Sequence, residues 1–533
     1  MNAPSHLVGV LPGPDDVRKL EESWLTAKIV EQAGIRRVDD SEARKLVGRN
    51  GQAGEYQGLA FPYFLPGEEY VREYRIRRDH PDLEYKEGKP KQRAKYIDPP
   101  GRGNMLYFVR GTLPETLSDT SLPITFVEGE KKTLALHRLA TWETTKARWL
   151  AVGLSGVWNF RGTVGKTNGA NGERRDVKGV IADFDRIVWD DRLVYICFDS
   201  DIHTNPSVEA ARRQLANELR IRGAHVRLVT LPNRESAKVG VDDLLASDGP
   251  GIALALFDDA TETGESDLLR QPHTDADNAE RLVLMRGSDI RHCSELKCWL
   301  VWDGQRWTRD TVGQVHLWAI DTMREMYRQA SGITDESKCK PAEVHARKSE
   351  QARVVRDMLT LAQCQPGIAV SLLEFDRQPY LLNCSNGTLE LKTGTLRPHR
   401  RSDLLMKLCP HPYAPKAKCP EFIKFLERAM GDRDGASAAQ VEAAYVRVEF
   451  LEKAIGMSLT GDVSEKVIIC CFGPKDTGKT TFLNAIRHTL GEDYAGQILI
   501  ESLMANTRQS DNNSKTDLMD LLGKRFGGYP DFR

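Results

Sequence analysis

The stretch CCFGPKDTGKTTF, residues 470–482, admits very few folds. Gly473, Gly478, Lys479 and Thr480 satisfy G-x-x-x-x-G-K-[ST], in which glycines let backbone N–H groups wrap a phosphate. That chemistry needs a buried strand delivering the loop and a helix whose N-terminus faces the anion. VIICCF (467–472) carries the apolar strand pattern and TTFLNAIRHTL (480–490) the amphipathic helix pattern. The expected ligand is ATP, with Lys479 at the β- and γ-phosphates, Thr480 on the magnesium, and Lys475 and Thr481 completing the loop.

At 533 residues the chain is long enough for three to four domains of roughly 150 residues. Its 75 Lys+Arg and 76 Asp+Glu nearly cancel, so any nucleic-acid surface must be local. No run reaches the roughly eighteen apolar residues of a membrane span, and the first residues lack a charged-then-apolar leader pattern. All ten cysteines lie at or after Cys197, with no C-x-x-C pair, which suits a reduced cytoplasm. Cys409, His411 and Cys419 match no common zinc spacing, so buried thiols and a loop histidine are expected there.

Residues 119–250 carry the densest chemistry. ITFVE ends an apolar strand at Glu128, and LVYICFDSD ends another at Asp199-Ser200-Asp201. HVRLVTL is a third strand, followed by KVGVDDLL with Asp242. Strands alternating with amphipathic helices make a parallel α/β layer, and open parallel sheets place their sites at the C-terminal strand ends. On extended chain Asp199 and Asp201 point the same way and can share a cation. Magnesium (or manganese) suits a few carboxylates plus water and phosphate oxygens. Glu128, on another strand, is placed as proton acceptor or second-metal ligand. A bland alternative, acids capping the helices that follow strands, is weakened because Glu128, Asp199-x-Asp201 and Lys238-x-Gly240-x-Asp242 occur in order within one alternating unit.

VEGEKK followed by FDSD resembles the Toprim domain of bacterial-type primases, topoisomerases and some nucleases. GLSGVWNF (153–160) and KVGVDDLL resemble the version found on replication proteins of phages, plasmids and integrated elements. The resemblance implies Glu128 as general base, Asp199 and Asp201 as magnesium ligands, and Asp242 as an addition to the metal set. Residues 71–110 hold eleven Lys+Arg against six Asp+Glu, with tyrosines interleaved, a composition suited to single-stranded template. KYIDPPG before LYF resembles the basic subdomain preceding Toprim in bacterial primases. Arg75, Arg77, Arg78, Lys95 and Lys131 are therefore expected to contact template or nucleotide phosphates. Those primases begin with a zinc module, whereas no cysteine precedes Cys197 here.

LLNCSNGTLELKTGTLRPH, CPEFIKFLERAMGD and GMSLTGDVSEKVIICCFGPKDTGKTTFLNAI together resemble superfamily 3 helicases of phage, plasmid and poxvirus primase-helicases. The resemblance places Asp531 at the acidic Walker B position, with the chain stopping before the remaining motifs. It implies an ATP-driven domain that, when complete, assembles as a homo-oligomeric ring. The expected fold is multidomain α/β. It comprises a basic primase subdomain (1–118), a Toprim-like parallel α/β core (119–250), an acidic linker (251–280), a helix-rich region (281–460) and a partial P-loop, AAA+-like α/β domain (461–533). The expected function is magnesium-dependent primer synthesis from nucleotides on single-stranded DNA, in a bacterial host's cytoplasm and away from membranes, with an incomplete helicase domain. A Toprim nuclease or nickase, and a non-catalytic single-stranded DNA-binding or helicase-loading protein, are the rival readings.

Overall fold

The computed structural model describes residues 7–49, 54–86, 89–168, 174–234, 238–262, 268–269, 272–431, 435–465, 468–474, 476–497 and 523–528. It forms two compact mixed α/β units, residues 1–288 with 321–358 and residues 289–320 with 359–533.

The first unit opens with helices α1 (Pro14–Glu21), α2 (Ala27–Gln32) and α3 (Asp40–Leu46) and strands β1 (Arg36–Val38), β2 (Gly58–Tyr63) and β3 (Glu73–Arg78). A hairpin, β4 (Asp82–Lys86) and β5 (Lys89–Arg93), precedes β6 (Tyr96–Ile97), and the antiparallel sheet runs β1-β2-β3-β6. β3 reads EYRIRR, and its period of two sends Tyr74, Ile76 and Arg78 to the buried face and Glu73, Arg75 and Arg77 to the other.

A second sheet, ordered β14-β13-β12-β8-β9-β7, carries the chemistry. Its strands are β7 (Tyr107–Phe108), β8 (Ile124–Glu128), β9 (Leu150–Leu154), β12 (Leu193–Cys197), β13 (His225–Val229) and β14 (Thr261–Glu262). The four central strands are mutually parallel, and β7 and β14 are antiparallel edges. ITFVE and LAVGL read as near-continuous apolar runs because both faces of the sheet are covered. After the short α4 (Glu115–Ser118), helices α5 (Glu130–Ala140), α7 (Val241–Ser247) and α8 (Pro250–Asp258) cover Val127, Ala151 and Cys197 on one face. On the other, α6 (Pro206–Ile221) with Phe184 and Trp189 covers Phe126, Val152 and Ile196. Gly153 permits the closest approach, since a Cβ there would lie 2.3 Å from Thr133 Oγ1 of α5. Between β9 and β12 the chain makes a two-stranded ribbon, β10 (Arg161–Asn168) and β11 (Arg174–Val180), that joins no other sheet.

Two expectations are corrected in this unit. Residues 251–258, expected to open the acidic linker, belong to α8 (Pro250–Asp258), because Ala253 and Phe257 have apolar partners in the core. Of the two acids expected on extended chain, Asp199 keeps extended backbone (φ −63°, ψ 159°), but Asp201 lies within a 3-10 turn. The strand ends at Cys197, and Asp199 caps a 3-10 turn (Ser200–His203) closed by Ile202 N donating to Asp199 O and Thr204 N donating to Asp201 O.

Helix α9 (Asp275–Arg286) ends the first stretch of this unit, and α11 (Glu336–Ser349) lies in its second. The chain passes between the units within α10 (Gln314–Ser331) and α12 (Ala352–Ala362).

The second unit contains a meander, β15 (Ile290–Cys293), β16 (Cys298–Trp302) and β17 (Trp307–Arg309), and another, β18 (Leu381–Cys384), β19 (Gly387–Glu390) and β20 (Thr395–Arg397). β16 and β17 are joined by a turn at Asp303-Gly304, with Asp303 Oδ1 accepting from the backbone of Gln305 and Arg306 at 2.8 Å. Helices α13 (Pro420–Met430), α14 (Ala438–Leu459) and α15 (Lys479–Tyr494) bury Leu426, Val448, Phe482 and Ile486 against Leu382 and Leu389. Strands β21 (Ala495–Gln497) and β22 (Phe526–Gly528) pair in parallel with each other.

The apolar run before the phosphate loop is not the buried strand expected of it. Residues 468–473 are irregular, Ile468 is 83% exposed and Phe472 is fully exposed. A parallel strand exists only through its neighbours, and no described strand pairs with this segment. Among the described residues no helix is long and apolar enough to cross a membrane.

Candidate active site

β8 delivers Glu128 to the C-terminal edge of the central sheet, and Gly129 turns the chain into α5 at φ +93°, a conformation that glycine tolerates. Its N–H donates to Leu154 O of the neighbouring strand at 2.7 Å, fixing the turn. β12, adjacent on the other side, delivers Asp199 and the turn bearing Asp201. The segment before α7 is clamped onto that turn: Ser200 N donates to Val239 O at 3.0 Å, and Val239 N to Ser200 Oγ at 2.9 Å. This clamp sets Lys238 over the acids. Its Nζ lies 2.9 Å from Asp199 Oδ2, 3.1 Å from Asp201 Oδ2 and 3.9 Å from Glu128 Oε2. Lys132, one turn into α5, reaches Asp199 Oδ2 at 2.6 Å from the other side.

Asp199 is buried, and one oxygen of each aspartate, Asp199 Oδ1 and Asp201 Oδ1, is buried without a hydrogen-bond partner. Asp242, buried on the first turn of α7, also keeps Oδ1 unpartnered. Burial pushes the Glu128 carboxyl up, Asp199 and Asp201 add to this, and Lys132 and Lys238 oppose it. For Lys132 and Lys238 burial works against the charge, but the carboxylates outweigh it and both ammonium groups are raised. Among the described residues no group of three or more carboxylate, histidine or cysteine side chains is arranged to hold a metal ion, and the Lys238 ammonium lies where the three acids converge.

The expected phosphate contacts divide. Arg77, Lys95 and Lys131 crowd one another beside Asp242: burial first, then the neighbouring cations, push both lysines down. Arg75 and Arg78 are engaged instead with carboxylates of the chain itself. Arg75 turns inward to Glu130, Nη1 to Oε1 at 2.9 Å, and packs over Tyr96. Arg78, 4% exposed, makes paired bonds to Asp82 at 2.9 and 3.0 Å, donates to Glu55 O, and covers Tyr56. Both are tethers of the N-terminal sheet, because a guanidinium placed among carboxylates and aromatic faces gains more there than in water.

Three working residues escaped the sequence reading as site members: Lys132, Lys238 and Glu130. Glu130, 1% exposed, also accepts from Tyr63 Oη at 2.5 Å, tying β2 and β3 to the helix that starts beside Glu128. The i, i+4 spacing of Glu128 and Lys132 across a strand-to-helix turn was the available signal for Lys132.

In the second unit Lys479 Nζ folds back into its own loop, donating to Gly473 O at 2.9 Å and to Thr477 Oγ1 at 3.1 Å. Gly478 caps α15 at φ +87°, and a Cβ there would meet the Phe425 ring at 2.6 Å. Thr480 and Thr481 follow on the first turn of the helix. Lys475 and Asp531 lie outside the described residues.

Two family models match the chain. Residues 115–252, which hold the acid cluster, match a family described as a domain of unknown function, DUF3854. Residues 279–431 match the family described as D5 N terminal like. No curated protein matches the chain. Among solved structures, the Aquifex aeolicus primase (zinc-binding and RNA polymerase domains) aligns with 66% of this chain and 71% of its own, at 14% identity and a TM-score of 0.34. A similarity of that extent does not define a shared fold.

Proposed function

We propose that the acid cluster of the first unit joins nucleotides into primers on single-stranded DNA, as the primase part of a primase-helicase of a phage or mobile element. One observation carries the reading: carboxylates from the ends of two adjacent parallel strands converge on one cation while two of their oxygens stay buried and unpartnered. Buried carboxylate oxygens are costly unless something positive meets them. The donor set therefore fits Mg2+ or Mn2+, with Asp199 and Asp201 as ligands, Asp242 nearby and Lys238 swung aside. A bound divalent cation supplies neutralisation of phosphate charge and orientation of the reacting oxygens. Glu128, its carboxyl pushed up by burial, accepts the proton of the attacking 3′-hydroxyl. Lys132 holds Asp199 in place, and Arg77, Lys95 and Lys131 hold template or triphosphate. The D5 N terminal like match over 279–431 supports a helicase-linked setting for the second unit.

The deciding experiment supplies labelled nucleotides, Mg2+ and a single-stranded template to the whole chain. Template-dependent extension products support the reading. Cleaved template would transfer the site to hydrolysis, and bound but unchanged template would leave a binding protein.

Lys238 gives an independent check on the cation site. An ammonium about 3 Å from two carboxylates competes with a divalent cation, although its 47% exposure screens much of the effect. Lys238→Met is expected to tighten Mn2+ binding roughly tenfold in an electron paramagnetic resonance titration. It also removes a charge that lowers the Glu128 carboxyl. Glu128 must be ionised to accept a proton, so the acid limb of the pH–rate profile moves to higher pH. Unchanged Mn2+ affinity would remove Lys238 from the cation site.

For the second unit we propose weak binding of ATP-Mg at Gly473, Gly478, Lys479, Thr480 and Thr481. The α15 N-terminus begins at Lys479 behind Gly478, and no described strand pairs with residues 468–473. Lys479→Ala is expected to weaken ATP binding at least tenfold by equilibrium dialysis and to leave primer synthesis unchanged. Loss of both together would mean that the two activities share a site.

A further inference from the structure

The β10–β11 ribbon has two unlike faces. Its register pairs Thr163 with Lys178, Lys166 with Asp176 and Asn168 with Arg174, with Val164 bulged out between Thr163 and Gly165. Arg161, Lys166, Arg174 and Lys178 therefore share one face with a single carboxylate, Asp176. Thr163 Oγ1 donating to Asp176 Oδ2 at 3.1 Å, and Lys178 Nζ to Thr163 Oγ1 at 2.6 Å, mark that face directly. Toward the root the opposite face is glycine and valine, Gly162, Gly165, Gly179, Val164 (52% exposed) and Val177 (41% exposed), and toward the tip its register continues with Thr167 against Arg175. An isolated two-stranded ribbon is marginal in water, and here neither strand joins a sheet.

Its root is firm. Phe160 and Ile181 are buried, Asn104 Nδ2 donates to Arg161 O at 2.6 Å, and Arg161 Nη1 donates to Gln214 at 3.0 Å. The loop entering it leaves β9 where Leu154 pairs with Glu128, and Trp158 Nε1 donates to Ser207 Oγ on α6 at 3.1 Å. The arm thus springs from the sheet edge that holds the acids.

We infer that this arm holds the phosphate backbone of the nucleic-acid duplex formed at that edge, template paired with product. The inference rests on the polymerising reading above. Residues spaced about 3.3 Å apart carry its cations along roughly 20 Å, against a duplex bearing one charge per 1.7 Å or so of axis. A two-stranded ribbon fits a duplex groove, and the small opposite face keeps it thin. Single-strand binders stack bases on aromatic rings, and neither strand of the ribbon has an aromatic residue.

The test uses the whole chain carrying Lys166→Gln, Arg174→Gln and Lys178→Gln, with fluorescence anisotropy on a 20-base-pair duplex and on a 20-nucleotide single strand across a salt series. Duplex affinity is expected to fall at least tenfold, and its log–log salt slope to flatten by about 2 to 3, near 0.9 per lost phosphate contact, while single-strand affinity holds. The charge-preserving set Lys166→Arg, Arg174→Lys and Lys178→Arg is expected to bind duplex as the parent does. Unchanged duplex binding in the Gln set, equal losses on both ligands, or loss in the charge-preserving set would overturn the inference. Because binding is read without turnover, a chain that binds duplex through the arm yet makes no primer would defeat the polymerising reading and leave the arm's ligand standing.

Discussion

The chain carrying Asp199→Asn and Asp201→Asn makes no primer at any Mg2+ concentration that supports the parent, and still binds single-stranded template. The amides keep the size and most hydrogen bonds of the aspartates but remove the two charges that face Lys238 at 2.9 and 3.1 Å. Neutral amide oxygens hold a hard divalent cation far less well than carboxylates. Where a step depends on charge stabilisation by a bound metal, losing it removes several kcal/mol, on the order of 10³-fold or more in rate. Lys132 and Lys238 then face neutral amides, so the substitution also removes their ion pairs with Asp199 and Asp201. Mn2+ titration separates the effects: the double variant loses the site, whereas Lys238→Met tightens it. Primer synthesis by the double variant at the parental rate would place the chemistry elsewhere.

That prediction could be framed from sequence because a parallel strand leaves a legible trace. ITFV and LVYIC are continuously apolar, being covered on both faces, and a carboxylate directly after such a run marks the strand's exit from the core. What the acids do to one another was not legible. Lys238 lies 37 residues beyond Asp201 in the chain and meets it only through the Ser200–Val239 clamp, a tertiary contact with no local pattern. Glu130 looked like an ordinary acid at a helix start and is instead the buried anchor for Tyr63 and Arg75. VIICCF fails for the complementary reason: its residues suit a strand, but strands are made by their neighbours, and composition does not record which neighbours are present. The arginines of EYRIRR were legible in part. Period two places Arg78 with Tyr74 and Ile76 on the covered face, a distinction that a count of positive charges conceals.

Arg75→Ala carries the same distinction into an expected loss of stability, not of template affinity. Glu130 is buried to 1% exposure and accepts from only Tyr63 and Arg75 through Oε1, while Oε2 has no partner. Truncating Arg75 leaves that carboxylate in a low-dielectric site with one neutral donor. Removing one member of a buried ion pair costs about 3–5 kcal/mol, because the partner's desolvation is no longer offset. The guanidinium's packing over Tyr96 is lost as well. Denaturant unfolding followed by tryptophan fluorescence should show the early transition moving to lower denaturant, with single-strand affinity and its salt slope unchanged below that transition. Adding Glu130→Gln to Arg75→Ala should recover much of the loss, since the stranded charge is gone while Tyr63 keeps an acceptor. A surface arginine that contacted phosphate would give the reverse pattern, unaltered stability with a flatter salt slope by about 0.7 per lost contact on single strands. That result would detach Arg75 from Glu130 and return it to the template face beside Arg77.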